Sequence, residues 1–281
     1  MVRQPDEDTR GIVDPVSHRA AVDHVRLDPS PKVGRFVAWY WSIEWDLGDQ
    51  IHSAEVLVHP VVNLTFQPGE ARVTGVQRAR ATRKLTGRGW VLGVMFRPAG
   101  FRPLVDRPLT ELTDRALPAV DVLGTVADEL HRAVVAAATP AERARAVDEG
   151  LAPLLPADHE PSEDTTAIVE RIAADRRLLR VDQVADAFGT SVRQLQRRFA
   201  DHVGVSPKWV LQRYRLYDAA EAAAGGGHVD WARLAADLGY SDQAHLVRDF
   251  TRAVGTPPEA YARSVGAGSA ARRGGHPGLR D

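Results

Sequence analysis

The sequence of 281 residues contains no cysteine, and this absence excludes disulfide bonds, thiolate zinc sites and cysteine nucleophiles. No sign of charge dominates, because 36 lysine and arginine residues stand against 37 aspartate and glutamate residues. A global attraction to nucleic acid or to cations is therefore excluded, and any charge signal must be local.

Long apolar runs are also missing, since no stretch approaches the roughly 20 apolar residues of a membrane span. The N-terminus, MVRQPDEDTR, is charged and does not read as a signal peptide. We therefore expect a soluble cytoplasmic protein with no membrane partner.

The length of the chain favours two domains, each with its own core. The segments 1–30 and 264–281 are polar and without periodicity, so both are expected to be disordered. Between them the change from short strand-like runs to helical patterns predicts an α+β organisation. It comprises a β-rich domain with C-terminal helices over 31–155, a linker over 156–164, and a helical domain over 165–263.

The β-rich region begins with a clear alternation of period two in RFVAWYWSIEW. One strand face is expected to carry the apolar series Val37, Trp39, Trp41, Ile43 and Trp45, and the other face Tyr40, Ser42 and Glu44. Further short runs separated by Gly and Pro predict a small antiparallel sandwich or cupin-like barrel. We expect its apolar interior to be closed by the tryptophans.

The helical region contains the same phrase twice, as GTSVRQLQRRFADHVGVSP over 189–207 and GYSDQAHLVRDFTRAVGTPP over 239–258. Aligned from the glycine, Ser191 meets Ser241; after one inserted residue, Leu195 meets Leu246 and Phe199 meets Phe250. Two helix-turn-helix units are the expected cause, because each copy has a helix, a glycine turn and a second helix.

The second helix of the first copy is expected to bury Val192, Leu195, Phe199 and Val203, while the preceding helix buries a stripe that ends at Phe188. Its other face presents Arg193, Gln196 and Arg197, side chains that pair well with guanine and adenine in the major groove. Ser191 is the expected helix cap and a further candidate DNA contact. Six basic residues against the single Asp201 between 190 and 215 concentrate positive charge here.

The second copy offers Gln243, Ala244, His245, Val247 and Arg248 on its outer face. A helix of about 18 residues that begins near Lys208, a candidate phosphate contact, should join the copies and span roughly 27 Å. Because successive major-groove segments on one side of a duplex lie about 34 Å apart, both helices could enter adjacent segments of double-stranded DNA.

The segments VADAFGTSVRQLQRRFADHVGVSPKWVLQRYRL and LAADLGYSDQAHLVRDFTRAVGTPPEAYA resemble the AraC/XylS family of transcriptional regulators over about 100 residues. The resemblance implies base reading by Arg193, Gln196 and Arg197 in the first copy and by Gln243, Ala244, Val247 and Arg248 in the second. Ala244 and Val247 stand where the family has polar readers. The N-terminal segment is similar to a sensor-like domain on one branch of these regulators.

Candidate ligand residues in the β-rich domain are Trp39, Trp41, His59 and Arg97. The alternative is that the tryptophans belong to the core of the sheet and that Arg97 forms an internal ion pair. His52 and His59 lie seven apart, but no HxH pair with a following Glu accompanies them, so no metal and no cofactor are expected.

The leading function is therefore a sequence-specific DNA-binding regulator, not an enzyme, that senses a small molecule or makes regulatory contacts. RNA polymerase is a further candidate partner. Two alternatives stay open: a DNA-tethered enzyme on the β domain, and a helical protein-interaction module. The effector, activation versus repression, and the oligomeric state are left open.

Overall fold

The computed structural model describes residues 2–3, 21–56, 59–224 and 229–263. The expected disorder of the N-terminal segment falls largely on residues 4–20, and that of the tail on 264–281; both lie outside the described residues. Residues 23–27 are a correction to the N-terminal boundary, because they form a strand that pairs along its whole length with the next one.

The strands of the described residues form one antiparallel sheet. They are β1 (Val2–Arg3), β2 (Asp23–Leu27), β3 (Val37–Val56), β4 (Asn63–Gln67), β5 (Glu70–Thr74), β6 (Ala81–Phe96) and β7 (Ala116–Pro118). Their order across the sheet is β1-β2-β3-β6-β4-β5-β7. The long β3 and β6 pair almost throughout and are the spine of the sheet.

Three helices follow the sheet: α1 (Ala119–Leu123), α2 (Thr125–Ala136) and α3 (Pro140–Leu151). Thr139 caps α3 by accepting from the Glu142 amide, and Glu142 returns the contact in a capping box. Leu130, Val134, Val147 and Leu151 on these helices pack in one core with Phe66, Leu92, Val94 and Phe96 of the sheet.

The tryptophan face of β3 is not the face that closes this main core. A register shift between Val37 and Trp39 places Val37 in the main core, together with Tyr40. Trp41 and Trp45 instead belong to a smaller cluster with Ile43. The expectation that the tryptophans close the apolar interior is therefore wrong, because one irregularity in pairing changes which face each later residue occupies.

The C-terminal region is helical, as expected. Its helices are α4 (Pro161–Ala174), α5 (Val181–Ala187), α6 (Val192–His202), α7 (Pro207–Ala224), α8 (Trp231–Asp237) and α9 (Gln243–Val254). The 18-residue α7 has the predicted length of the connector. The expected linker 156–164 is only partly a linker, because α4 begins at Pro161 and buries Ser162.

Two cores hold these helices. One surrounds Trp231, Leu246 and Phe250 of the second unit. The other surrounds Leu195 and Phe199 of the first unit and includes Val76 and Ala99, which come from the segments flanking β6. The first unit therefore shares its core with the N-terminal region. Among the helices that the structure describes, none is long and apolar enough to cross a membrane.

Candidate nucleic-acid interface

The two helix-turn-helix units repeat each other bond by bond at the turn. In the first, the amide of Gly189 donates to the carbonyl of Asp186 and that of Thr190 to Ala185, at 3.2 and 3.0 Å. In the second, Gly239 donates to Ala236 and Tyr240 to Ala235, at 3.0 and 2.9 Å. Both glycines have positive φ, 58° and 72°. The sequence repeat is thus a structural repeat.

The caps of the two second helices correct one detail of the alignment. The Ser191 side chain accepts from the Gln194 amide and caps α6. In α9 the equivalent acceptor is Asp242, whose carboxylate receives the His245 amide at 2.7 Å. The inserted residue therefore lies before the cap, and Ser191 corresponds to Asp242 rather than to Ser241. The pKa of Asp242 is lowered, chiefly by this amide hydrogen bond.

The outer face of α6 carries the three side chains expected to read bases. Arg193, Gln196 and Arg197 are all exposed, while Leu195 and Phe199 on the opposite face are buried. Within the described part of the chain no hydrogen bond or ion pair engages these three side chains. They are therefore available to a partner.

This availability distinguishes them from other arginines of the same region. Arg171, Arg176, Arg177 and Arg180 in and around α4 and α5 each form an ion pair with a carboxylate. On α6 the carboxylate that stands closest to the reading face in sequence, Asp201, is taken by Arg102 at 2.8 Å. Among the described residues, no carboxylate therefore neutralises the positive charge of the outer face.

Two apolar residues were expected to be buried in the apolar stripes of their helices, and this expectation is wrong. Phe188 and Val192 are 38% and 37% exposed. Phe188 is the C-cap of α5 and Val192 is the first residue of α6, so both lie where the helices diverge at the turn and neither helix can cover them.

Of the remaining basic residues of the stretch, Arg198 is exposed, and the other three divide into two groups. Lys208, at the start of α7, is exposed and has no partner among the described residues. Arg213 is buried and donates to the Arg78 carbonyl at 3.0 Å, and burial lowers the pKa of its guanidinium. Arg215 donates to the Leu179 carbonyl. Of these three, only Lys208 is placed for a phosphate contact.

The outer face of α9 is less basic than that of α6. Gln243, Ala244 and Arg248 are exposed, and Val247 is half-buried. His245 is held inside the unit, because its ring packs edge-on against Tyr240 and its Nε2 lies 3.6 Å from a carboxylate oxygen of Asp249. The sequence-predicted contacts of the second unit therefore lie on one face, with His245 already engaged.

The N-terminal region contacts the first unit at the end of α6 that is remote from its cap. Arg102 binds Asp201, and the Thr113 hydroxyl donates to the Gly204 carbonyl at 2.6 Å. The N-terminal region also holds the preceding helix α4, since Arg97 binds Glu170 at 2.6 Å and Thr166 donates to the Pro98 carbonyl. The reading face of α6 is left uncovered by these contacts.

A further set of contacts reaches the connecting helix α7. The ring of His59 stacks on that of Tyr217, with centroids 4.8 Å apart and planes 21° apart. One turn earlier Arg213 reaches the carbonyl of Arg78. The N-terminal region thus touches both the first unit and the helix that sets the spacing of the two units.

The four candidate ligand residues are not brought together. The guanidinium carbon of Arg26 lies 3.5 Å from the ring centroid of Trp39. Trp41 packs over Gly93, its partner on β6. His59 and Arg97 instead face the C-terminal helices. Among the residues that the structure describes, no group of three His, Asp or Glu side chains could hold a metal ion.

Comparison with known families agrees with this geometry. Residues 184–264 match a helix-turn-helix domain family of the AraC type, a range that contains nearly all of both units. The C-terminal region is therefore an AraC-type helix-turn-helix domain, the DNA-binding domain of a transcription regulator. Residues 25–118, which contain the sheet from β2 to β7, match a domain of unknown function (DUF6597). No curated protein matches this regulator.

Solved structures similar to the regulator include ToxT from Vibrio cholerae, at very low identity. One ToxT crystal form has 9% identity and a TM-score of 0.39, with 86% of this chain and 97% of that chain covered. ToxT bound to (E)-4-(8-methylnaphthalen-1-yl)but-3-enoic acid has 10% identity and a TM-score of 0.38, with 87% and 98% covered. Likeness at this level does not establish a shared function.

One residue that links the sheet domain to the helical region was missed by sequence reasoning. Arg35 donates to the carbonyls of Ala157 and Asp158 and forms an ion pair with Glu163, so it fastens the start of α4 to the sheet domain. Its guanidinium holds the pKa of Glu163 below the ordinary value. A lone arginine after a glycine gives no signal of a contact 128 residues away.

Proposed function

We propose that the regulator binds a specific promoter sequence by placing α6 and α9 in adjacent major-groove segments, and that its N-terminal domain controls this binding in response to a small molecule. The single observation that carries the DNA-reading half is the state of the α6 face. Arg193, Gln196 and Arg197 are exposed and unpaired within the described residues, whereas neighbouring arginines are held by carboxylates.

The chemistry of that face suits direct readout. Arginine pairs bidentately with guanine and glutamine with adenine, and each good pair contributes about 1 to 3 kcal/mol of discrimination. In this class of motif the N-terminal residues of the second helix contact the base edges. The capped N-terminus of α6 and the positive side chains of its first turns would therefore face the same bases. Lys208 adds a phosphate contact that positions the unit without reading sequence.

Control by the N-terminal domain is supported by its contacts with the first helix-turn-helix unit and with the connecting helix α7. Thr113 and Arg102 hold the end of the first unit, and His59 packs on the connecting helix. A ligand that shifts the sheet domain would thereby change the relative placement of α6 and α9, to which two-site DNA binding is sensitive. RNA polymerase contact stays a prediction.

The experiment is in vitro selection of duplexes by the full-length protein, followed by affinity measurements on the selected site and on a scrambled duplex at several salt concentrations. We expect a preference of at least about a thousandfold for the selected site and a steep loss of affinity with salt. Equal, weak binding to both duplexes would instead favour the helical protein-interaction module.

A matched pair of variants makes the test specific to α6. Arg193→Ala should weaken binding to the selected site far more than binding to scrambled DNA. Arg233→Ala, which removes an exposed arginine of α8 that lies 3.9 Å from Asp237, should leave both affinities nearly unchanged. Equal effects of the two substitutions on the selected site would contradict base reading by Arg193.

A further inference from the structure

A cavity of about 660 Å³ lies in the N-terminal domain, between strands β2, β3 and β6 and the start of α3. Its volume falls within the usual range for small-molecule sites. We propose that this cavity binds a small zwitterion, a molecule with one carboxylate, one ammonium group and an apolar body. The inference rests on the proposed sensing role of this domain and names the class of molecule sensed.

The floor of the cavity contains a buried guanidinium. The Arg143 side chain is 7% exposed, and its Nη1 donates to Glu44 Oε1 at 2.5 Å. Its guanidinium carbon lies 3.9 Å from the ring centroid of Trp90. The Nε–H is buried and has no acceptor among the residues that the structure describes. Because a buried donor without an acceptor is costly, Arg143 retains hydrogen-bonding capacity that its protein partners do not use.

The rim of the cavity carries charges of both signs that are not paired with each other. Asp46 and Arg88 are directly opposite in the β3–β6 register, and Asp23 is opposite Glu44. Side chains in such positions begin about 5 Å apart. All three rim residues, Asp23, Asp46 and Arg88, are exposed, and no ion pair within the described residues engages them.

This arrangement favours a ligand with both charges. A simple anion would meet three carboxylates in the lining, and a simple cation would meet two guanidinium groups. A zwitterion places its carboxylate toward Arg88 and Arg143 and its ammonium group toward Asp23 and Asp46. Trp45 and Trp90 also line the cavity and offer an aromatic surface for the apolar body.

The cavity is one helix away from the connection to the DNA-binding units. Arg143 lies in the first turn of α3, and Leu151 ends that helix in the main core. The chain then runs to residues 156–158, whose carbonyls accept hydrogen bonds from Arg35. A ligand that repositions the start of α3 therefore acts on the segment that leads into α4.

The test is isothermal titration of the full-length protein, without DNA, with three probes on one skeleton: phenylalanine, phenethylamine and hydrocinnamate. We expect phenylalanine to bind and the other two to bind at least about tenfold more weakly, since each lacks one charge. No binding of phenylalanine, or equal binding of all three probes, would overturn the proposal.

Rim variants locate the site without disturbing the core. Arg88→Gln and Asp46→Asn should each lower phenylalanine affinity at least about fivefold. Arg83→Gln on β6 and Asp49→Asn on β3 are matched controls outside the cavity lining and should leave the affinity unchanged. Equal losses in the controls would also overturn it. Since DNA is absent, failure of this proposal leaves the DNA-reading proposal untouched, and the converse also holds.

Discussion

The Thr113 hydroxyl donates a hydrogen bond of 2.6 Å to the carbonyl of Gly204, and this contact joins the sheet domain to the turn that follows α6. Gly204 has φ of 91°, in the left-handed region that favours glycine. A Cβ at this position would lie 2.8 Å from the carbonyl oxygen of Leu109. The close approach of the two domains therefore depends on the absence of a side chain.

Replacement of Gly204 should be more damaging than replacement of Gly189. Gly189→Ala pays only for its positive φ, about 1 kcal/mol, because nothing lies within 4 Å of its added Cβ. Gly204→Ala introduces a similar strain and also pushes against the Leu109 backbone, so we expect a loss of at least about 2 kcal/mol in the free energy of unfolding. Urea titration of both variants measures the difference. Equal losses would show that the domains do not pack as closely as described.

His202 should make stability depend on pH. Its Nδ1 lies 2.8 Å from the Thr165 hydroxyl and its Nε2 lies 3.4 Å from Asp201, with Arg102 and Arg198 as the nearby cations. Burial lowers the pKa of His202 below its ordinary value, despite the opposing effect of Asp201.

The sign follows from proton binding. The unfolded chain takes up a proton at His202 as the pH falls through about 6.5, whereas the folded protein does so only at lower pH. Stability is therefore highest above this window and falls as the pH falls through it. Urea midpoints between pH 7.5 and 5 measure this trend, and His202→Gln should reduce it. An unchanged pH dependence in the variant would assign the trend to other groups.

Lys208 should contribute affinity without specificity. Loss of one phosphate contact should weaken binding to selected and scrambled duplexes alike and reduce the slope of log affinity against log salt by about 0.9. Lys84→Ala is the matched control, because Lys84 is an exposed lysine on β6 of the sheet domain. If Lys208→Ala and Lys84→Ala have the same salt slope, Lys208 does not contact DNA.

The C-terminal half could be predicted closely because its structure is local. The repeated glycine, phenylalanine and proline positions indicate helices, turns and caps, and each of these is formed by residues within about 20 positions of one another. The alignment of Ser191 with Ser241 shows the limit of this interpretation, since an insertion next to a Ser-Asp pair leaves two acceptable caps in the sequence. Only the hydrogen bond from His245 decides for Asp242.

The N-terminal half was less predictable because its contacts are remote in sequence. One register shift after Val37 reversed the expected roles of Tyr40 and the tryptophans. The pairing of Arg143 with Glu44 joins residues 99 positions apart, and no local pattern marks either of them. Arg97 was a candidate anion ligand, but its partner Glu170 belongs to a helix whose packing the sequence does not reveal.

The two reading helices should divide their work unequally. Arg197 and Arg248 occupy equivalent positions, since each follows the buried leucine of its helix by two residues. Arg197 stands beside the exposed Arg193 and Gln196, whereas Arg248 has Ala244 and Val247 in the corresponding places. The electrostatic setting differs as well, because Asp242 and Asp249 both lie on or next to the second reading helix.

Loss of Arg197 should therefore cost more specificity than loss of Arg248. In the first half-site three neighbouring polar readers constrain consecutive bases, and each bidentate contact contributes about 1 to 3 kcal/mol of discrimination. In the second, Ala244 and Val247 are limited to apolar contact with thymine methyl groups, so that half-site should tolerate substitution without being featureless. A base-by-base affinity scan of the selected site with wild type, Arg197→Ala and Arg248→Ala measures both effects. A larger relaxation of its half-site by Arg248→Ala would make the second unit the dominant reader and reverse this ranking.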